Sequence, residues 1–300
     1  MASIFVQIAS YHDYELGKTI VHANKQKSGK HEIHFGVFNC FYKENEIYYP
    51  KLDNLKFIDR LAPEGIGVCR SRNIANSLYS GQDYFLQIDS HTRFRKDWDD
   101  SLIAEIKDYQ VCGIPKPLIT TYPGTYRYDD ELNEVIDWGD NITSIYFGDT
   151  PDEFSLTLIP GQRAVSPKGL MVQPSVSAGF IFTLGSFATL KLNEKIAFWG
   201  EEIFMASKAW TSGFDLLLPS RQYLFHLYYD HKYPRQRSNR RHIWLDFPEQ
   251  FSEMDAESKK EIEDILSTAR VGEDALGSER TLEAFGKYAG LDFKNRKLIM

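Results

Sequence analysis

Asp89-Ser90-His91 is a triplet whose residue types and spacing suit metal chemistry. It follows the apolar run Tyr84 to Ile88, and an extended backbone places side chains i and i+2 on the same side, so Asp89 and His91 can reach one cation. A carboxylate paired with an imidazole suits a borderline divalent metal such as manganese, with further oxygen ligands completing an octahedron. Short acidic triplets are common, and the bland reading of this one is a loop cap followed by a surface histidine. Its place in the fold separates the two readings.

The elements that must position it are legible as an alternation. Ile4 to Ala9 is a short apolar run ending in Ser10-Tyr11-His12-Asp13, a buried strand and a polar loop. Leu16, Ile20 and Ala23 recur at helical spacing, and His31 to Phe38 returns to strand character. Leu55 to Asp59 reads as a third strand, Gly67 to Leu78 as a helix, and Tyr84 to Ile88 as a strand buried on both faces. This order predicts an α/β domain with a mostly parallel sheet, in which ligands collect beyond the carboxyl ends of the strands. The Ser10–Asp13 loop and Asp89 to Arg93 should therefore meet in one crevice.

The second half supplies Ser177-Ala178-Gly179-Phe180-Ile181-Phe182, then Phe198-Trp199-Gly200-Glu201-Glu202 opening a helix over Glu201 to Ser212, then His226 in a strand over Tyr223 to Tyr229. Between Thr120 and Ser177 the pattern is irregular and rich in proline, which predicts hairpins and long loops. Asp255 to Thr268 and Ser278 to Tyr288 read as polar amphipathic helices with Ser252 and Ser278 as caps.

A chain of 300 residues with 42% hydrophobic content can bury a sizeable core. A net charge of -7 argues against nucleic-acid binding by counterion release, although Lys232 to Arg241 is locally basic and suited to phosphates. No apolar run of about 18 residues predicts a membrane span. Three cysteines, Cys40, Cys69 and Cys112, fit buried thiols in a reducing compartment, so the expected location is cytoplasmic. The oligomeric state is not set by the sequence.

Taken together, Asp-Ser-His, the glycine-containing strand, the Trp-Gly-Glu-Glu helix start and the late histidine resemble the GT-A polypeptide N-acetylgalactosaminyltransferases. A closer resemblance is to the N-acetylglucosaminyltransferases of glycosyltransferase family 60. It is carried by Phe5-Val6-Gln7-Ile8-Ala9-Ser10-Tyr11, by Gly67 to Asn73, and by Leu86-Gln87-Ile88-Asp89-Ser90-His91-Thr92-Arg93-Phe94 with Trp98-Asp99, and it spans about residues 3 to 230. The resemblance implies a GT-A fold, a Rossmann-like mixed sheet flanked by helices. The change of composition after Asp246 then divides the chain into a catalytic domain over 1–245 and a helical extension over 246–300 packed on it.

It further implies a metal-dependent, retaining transfer of a sugar, N-acetylglucosamine in that family, from a UDP-sugar to a hydroxyl on a protein or glycan. Asp89, His91 and His226 become the Mn2+ (or Mg2+) ligands, with His231 a competitor for the last place. Ala9, Ser10, Tyr11 and Asp13 are expected at uracil and ribose, although Asp13 equally suits a helix cap. Of Arg70 and Arg72, Arg72 is the preferred nucleotide contact. Ser90, Gly179 and Trp199 join the donor site, with Trp199 packing the sugar or anchoring its helix. Glu201 and Glu202 are the candidate catalytic residues, although acids at a helix N-terminus are also favoured by the macrodipole. The family's Asn after this glutamate is Ile203 here, which weakens any carry-over to the acceptor. Two other classes fit the same residues: a metal-dependent hydrolase or nucleotidyltransferase, and a non-catalytic sugar-nucleotide-binding protein.

Overall fold

The first strand is buried on both faces, and layers pack on either side of the sheet it belongs to. The computed structural model describes residues 1–42, 49–62, 67–146, 161–165, 172–228 and 242–299. The first half runs β1 (Ser3–Tyr11), α1 (Leu16–Gln26), β2 (Glu32–Phe41), β3 (Leu55–Leu61), α2 (Val68–Asn76), β4 (Tyr84–Asp89), β5 (Thr92–Phe94) and α3 (Trp98–Val111). It is followed by β6 (Pro117–Thr120), β7 (Gly124–Tyr128), β8 (Glu134–Ile136), β9 (Ile142–Tyr146), β10 (Gly161–Val165) and β11 (Phe180–Leu184). The chain then forms α4 (Glu201–Thr211), β12 (Asp215–Leu217), β13 (Leu224–His226), α5 (Ile243–Asp246), α6 (Pro248–Thr268), α7 (Leu282–Ala289), β14 (Leu291–Asp292) and β15 (Lys297–Leu298).

The central sheet has seven strands in the order β12-β6-β11-β4-β1-β2-β3. β4, β1, β2 and β3 are mutually parallel, whereas β11 runs antiparallel to both β4 and β6. The sheet is therefore mixed. On one face Ile4, Val6 and Ile8 pack with Leu16 and Ile20 of α1 and with Trp98, Leu102 and Ile106 of α3. On the other, Phe5, Phe85 and Ile181 pack with α4 and with Ile262, Ile265 and Phe285 of the last helices. Adjacent residues of β1 thus serve opposite layers. A smaller sheet, β5-β13-β7-β8, stands beside the first.

Several expectations need correction. α3 was not foreseen. α6 begins at Pro248, so Ser252 lies inside the helix rather than capping it; proline is preorganised for a first helical turn. The cap of α7 is Thr281, whose Oγ1 accepts the Ala284 N–H at 3.1 Å, rather than Ser278. The strand expected over Tyr223 to Tyr229 is confined to Leu224–His226 among the described residues. Cys112 is exposed, while Cys40 and Cys69 are buried. The expected hairpins include β7–β8 and the antiparallel pair β9–β10. The basic Lys232 to Arg241 segment and His231 lie outside the described residues. Among the described residues, no helix is long and apolar enough to cross a membrane.

Candidate active site

The register of three strand pairs brings the site together. β1 and β4 are paired in parallel with Ala9 opposite Asp89, so the loop that follows β1 lies beside the end of β4. β11 pairs Phe180 with Ile88, which sets Gly179 against Asp89. A Cβ at Gly179 would stand 2.8 Å from Asp89 Oδ2, closer than any side chain tolerates, so only glycine leaves the carboxylate its position. In the smaller sheet β13 pairs His226 with Thr92, which returns His226 to the stretch holding His91.

Asp89, His91 and His226 consequently converge. His226 Nε2 lies 2.8 Å from His91 Nε2 and 3.1 Å from Asp89 Oδ2. One donor atom from each residue falls within 4.8 Å of the others. Burial works to raise the Asp89 carboxyl, but the hydrogen bond from His226, the charges of both histidines and Arg72 override it and hold the group well below the usual carboxylate range. It is an anion across the working pH range, as a metal ligand must be. The two edges that meet at His226, 2.8 Å and 3.1 Å, are the separations expected between neighbouring ligands around one cation. Two imidazole nitrogens with one carboxylate oxygen favour manganese over the harder magnesium. The residues present therefore fit a divalent metal.

Behind the triad, Arg72 is buried and Arg70 is exposed. Arg72 Nη2 donates to Glu201 Oε1 at 2.9 Å and lies 4.0 Å from Asp89 Oδ1, while Nη1 reaches Gln7 Oε1 at 3.4 Å. Burial raises the Glu201 carboxyl, only partly opposed by Arg72. Glu202 is pushed up to about 7, chiefly by burial, against the hydrogen bonds it accepts from Tyr122 Oη at 2.6 Å and the Ala178 N–H at 2.9 Å. Both acids open α4, whose N-terminal position after Gly200 aims them inward.

A cavity of about 400 Å³ joins these groups. The metal-ligand candidates, Arg72, Gly179, Glu201 and Glu202 line it, as do Ala9, Ser10, Tyr11, Asp13, Ser90 and Trp199, whereas Arg70 does not. Asp13 also meets two neighbours: its Oδ2 lies 2.6 Å from His91 Nδ1 and 2.7 Å from Ser90 Oγ. Sequence reasoning did not single out Tyr228, His242, Ile243 or Trp244, which also line the cavity. Tyr122 and Tyr228 sit in tyrosine-rich stretches, 122–128 and 223–233, a compositional signal that could have marked them. The Trp199 and Trp244 rings are 6.3 Å apart, with Phe198 5.1 Å from each, forming an aromatic wall at one side.

A family model described as Glycosyltransferase (GlcNAc) matches residues 52–295. The chain belongs to this glycosyltransferase family. Its fold is GT-A, like that of GalNAc-T7, whose crystal structure with UDP, GalNAc and Mn2+ aligns at a TM-score of 0.58 and 13% identity, over 96% of this chain and 57% of that one. S. aureus TarS aligns at a TM-score of 0.48 and 14% identity, over 91% of this chain and 41% of its own. This glycosyltransferase chain thus spans little more than half the length of the first solved relative. No curated protein matches the sequence.

Proposed function

We propose that the chain is a metal-dependent, retaining glycosyltransferase that moves N-acetylglucosamine from UDP-N-acetylglucosamine to a hydroxyl on a protein or glycan. The observation that carries this reading is the convergence of Asp89, His91 and His226 in a cavity reached by the Ala9–Asp13 loop. The family description names the sugar, and GalNAc-T7, which shares the fold, is a structure with UDP and Mn2+.

Asp89, His91 and His226 would hold the cation, which when bound supplies positive charge for the departing diphosphate without proton transfer. Ala9, Ser10 and Tyr11 flank uracil and ribose. Arg72 fixes Asp89 and Glu201 from behind, and Trp199 and Gly179 bound the sugar. In the reaction the bond between the anomeric carbon and the β-phosphate oxygen breaks. The acceptor oxygen bonds to the same face, and its proton passes to the departing phosphate. Retention without a covalent enzyme intermediate is supported by the engagement of the nearest carboxylates: Glu201 by Arg72, Glu202 by Tyr122 and Ala178. We assign 1–245 as the catalytic domain and 246–300 as an extension packed on it. We assign the cytoplasm as the chain's compartment.

The test is purified protein with Mn2+ and a panel of UDP-sugars. Slow UDP release from UDP-N-acetylglucosamine without acceptor, accelerated by hydroxyl acceptors with retention at the anomeric carbon, is expected. Release of UMP and sugar phosphate instead would assign a hydrolase acting within the diphosphate, and binding without turnover in the presence of acceptors would assign a sugar-nucleotide-binding protein.

A further inference from the structure

We propose that Asp13 is a positioning residue that fixes the tautomer and direction of His91, so that His91 Nε2 offers its lone pair to the cation; this rests on the metal site proposed above. Asp13 and His91 are both buried, at 4% and 7% exposure. Asp13 Oδ2 lies 2.6 Å from His91 Nδ1 and accepts Ser90 Oγ–H at 2.7 Å, while Oδ1 accepts the Glu15 N–H at 2.9 Å. A carboxylate only accepts hydrogen bonds, so Nδ1 of a neutral His91 carries the ring proton and Nε2 is left as the donor atom. The other tautomer would set the Nδ1 lone pair against carboxylate lone pairs at contact distance.

The backbone around the pair is built for the same end. His12 holds a left-handed conformation, φ 41°, and its N–H donates to the Cys40 carbonyl at 2.8 Å. A non-glycine residue in that region carries a conformational cost, and here the turn delivers the next side chain to Ser90 and His91. Thr19 of α1 donates its Oγ1–H to the Ser90 carbonyl at 2.7 Å and accepts the Thr92 N–H at 3.0 Å, which pins the chain on both sides of His91. The β1–α1 connection and the first turn of α1 therefore grip His91 through its ring, its preceding hydroxyl and its flanking peptides.

Asp13→Asn separates this role from general support. If its amide oxygen faces His91, the NH2 group meets the Glu15 N–H, donor against donor; if it turns over, NH2 faces Nδ1 and drives the ring proton to Nε2, where it blocks metal binding. Mn2+ affinity, read directly from free Mn2+ by electron paramagnetic resonance, should fall about 10- to 100-fold, the range for losing such an outer partner. A merely structural role lowers the unfolding midpoint and leaves the affinity of the folded variant unchanged; that result overturns the proposal alone. A wild type that binds no Mn2+ overturns the metal site and the proposal together. Should the variant not fold, nitrogen-15 shifts of histidine in the wild-type protein decide: the Nδ1–H form of His91 is expected, and a dominant Nε2–H form overturns it.

Discussion

Asp89 shows how a single side chain depends on its surroundings. Its charge survives burial because His226, His91 and Arg72 face it, and its place survives because residue 179 has no Cβ. Asp89→Ala or His226→Ala should lower Mn2+-dependent UDP release by about 10³-fold, the scale of losing transition-state charge stabilisation; a variant with full metal-dependent turnover contradicts the assignment. Glu202 gives a prediction of another kind. Its carboxyl, pushed up from 4.5 to about 7, keeps in the folded state a proton that the unfolded chain has released. The native state therefore binds more protons between those values, so this group's contribution to stability is present below pH 4.5 and is lost as pH rises through 7. Glu202→Gln retains an acceptor for the Ala178 N–H and presents its NH2 group to Tyr122, whose hydroxyl then accepts instead of donating. Its melting temperature relative to wild type should thus rise between pH 5 and pH 8, and a constant difference in calorimetry would contradict the shift.

At the level of elements, α4 acts as a tie. Its Lys208 is buried, and Nζ donates to the carbonyls of Glu273 at 2.8 Å and Ala275 at 2.5 Å, joining the helix to the segment that leads into α7. Lys208→Met keeps the stem but orphans both carbonyls, and should cost about 2–3 kcal/mol in denaturant unfolding. The elements around the site were readable because β1, α1, β2 and β4 are apolar runs of one period separated by polar loops. Asp89 and His91 were readable because they stand two apart at the end of such a run. α3 was not, since it opens with Trp98-Asp99-Asp100 after Asp97 in a left-handed conformation, with no side-chain cap to announce it. Tyr228 and Trp244 were not, because each reaches the cavity from outside a periodic strand or long helix, where chain direction is set by tertiary contacts alone. The same holds for Asp13: a turn residue with a familiar capping use gives no sign in the sequence that its carboxylate meets an imidazole from a distant loop.

For the whole molecule, ligand binding should be visible as stability. Mn2+ with UDP at a hundred times its dissociation constant should add about 2.7 kcal/mol, and a chelator should remove the gain; an unfolding midpoint indifferent to both would argue against a native-state site. The two sheets give that measurement a spatial pattern. Asp89 terminates a strand of the seven-stranded sheet, whereas His226 terminates one in the four-stranded sheet, and they approach at 3.1 Å. A cation gripped by both works as a rivet through two plates that otherwise meet along a seam. Chelation should therefore quicken amide hydrogen exchange in β13 and β7 while leaving the centre of β1 protected. The metal's departure would then be felt as slackness between the plates.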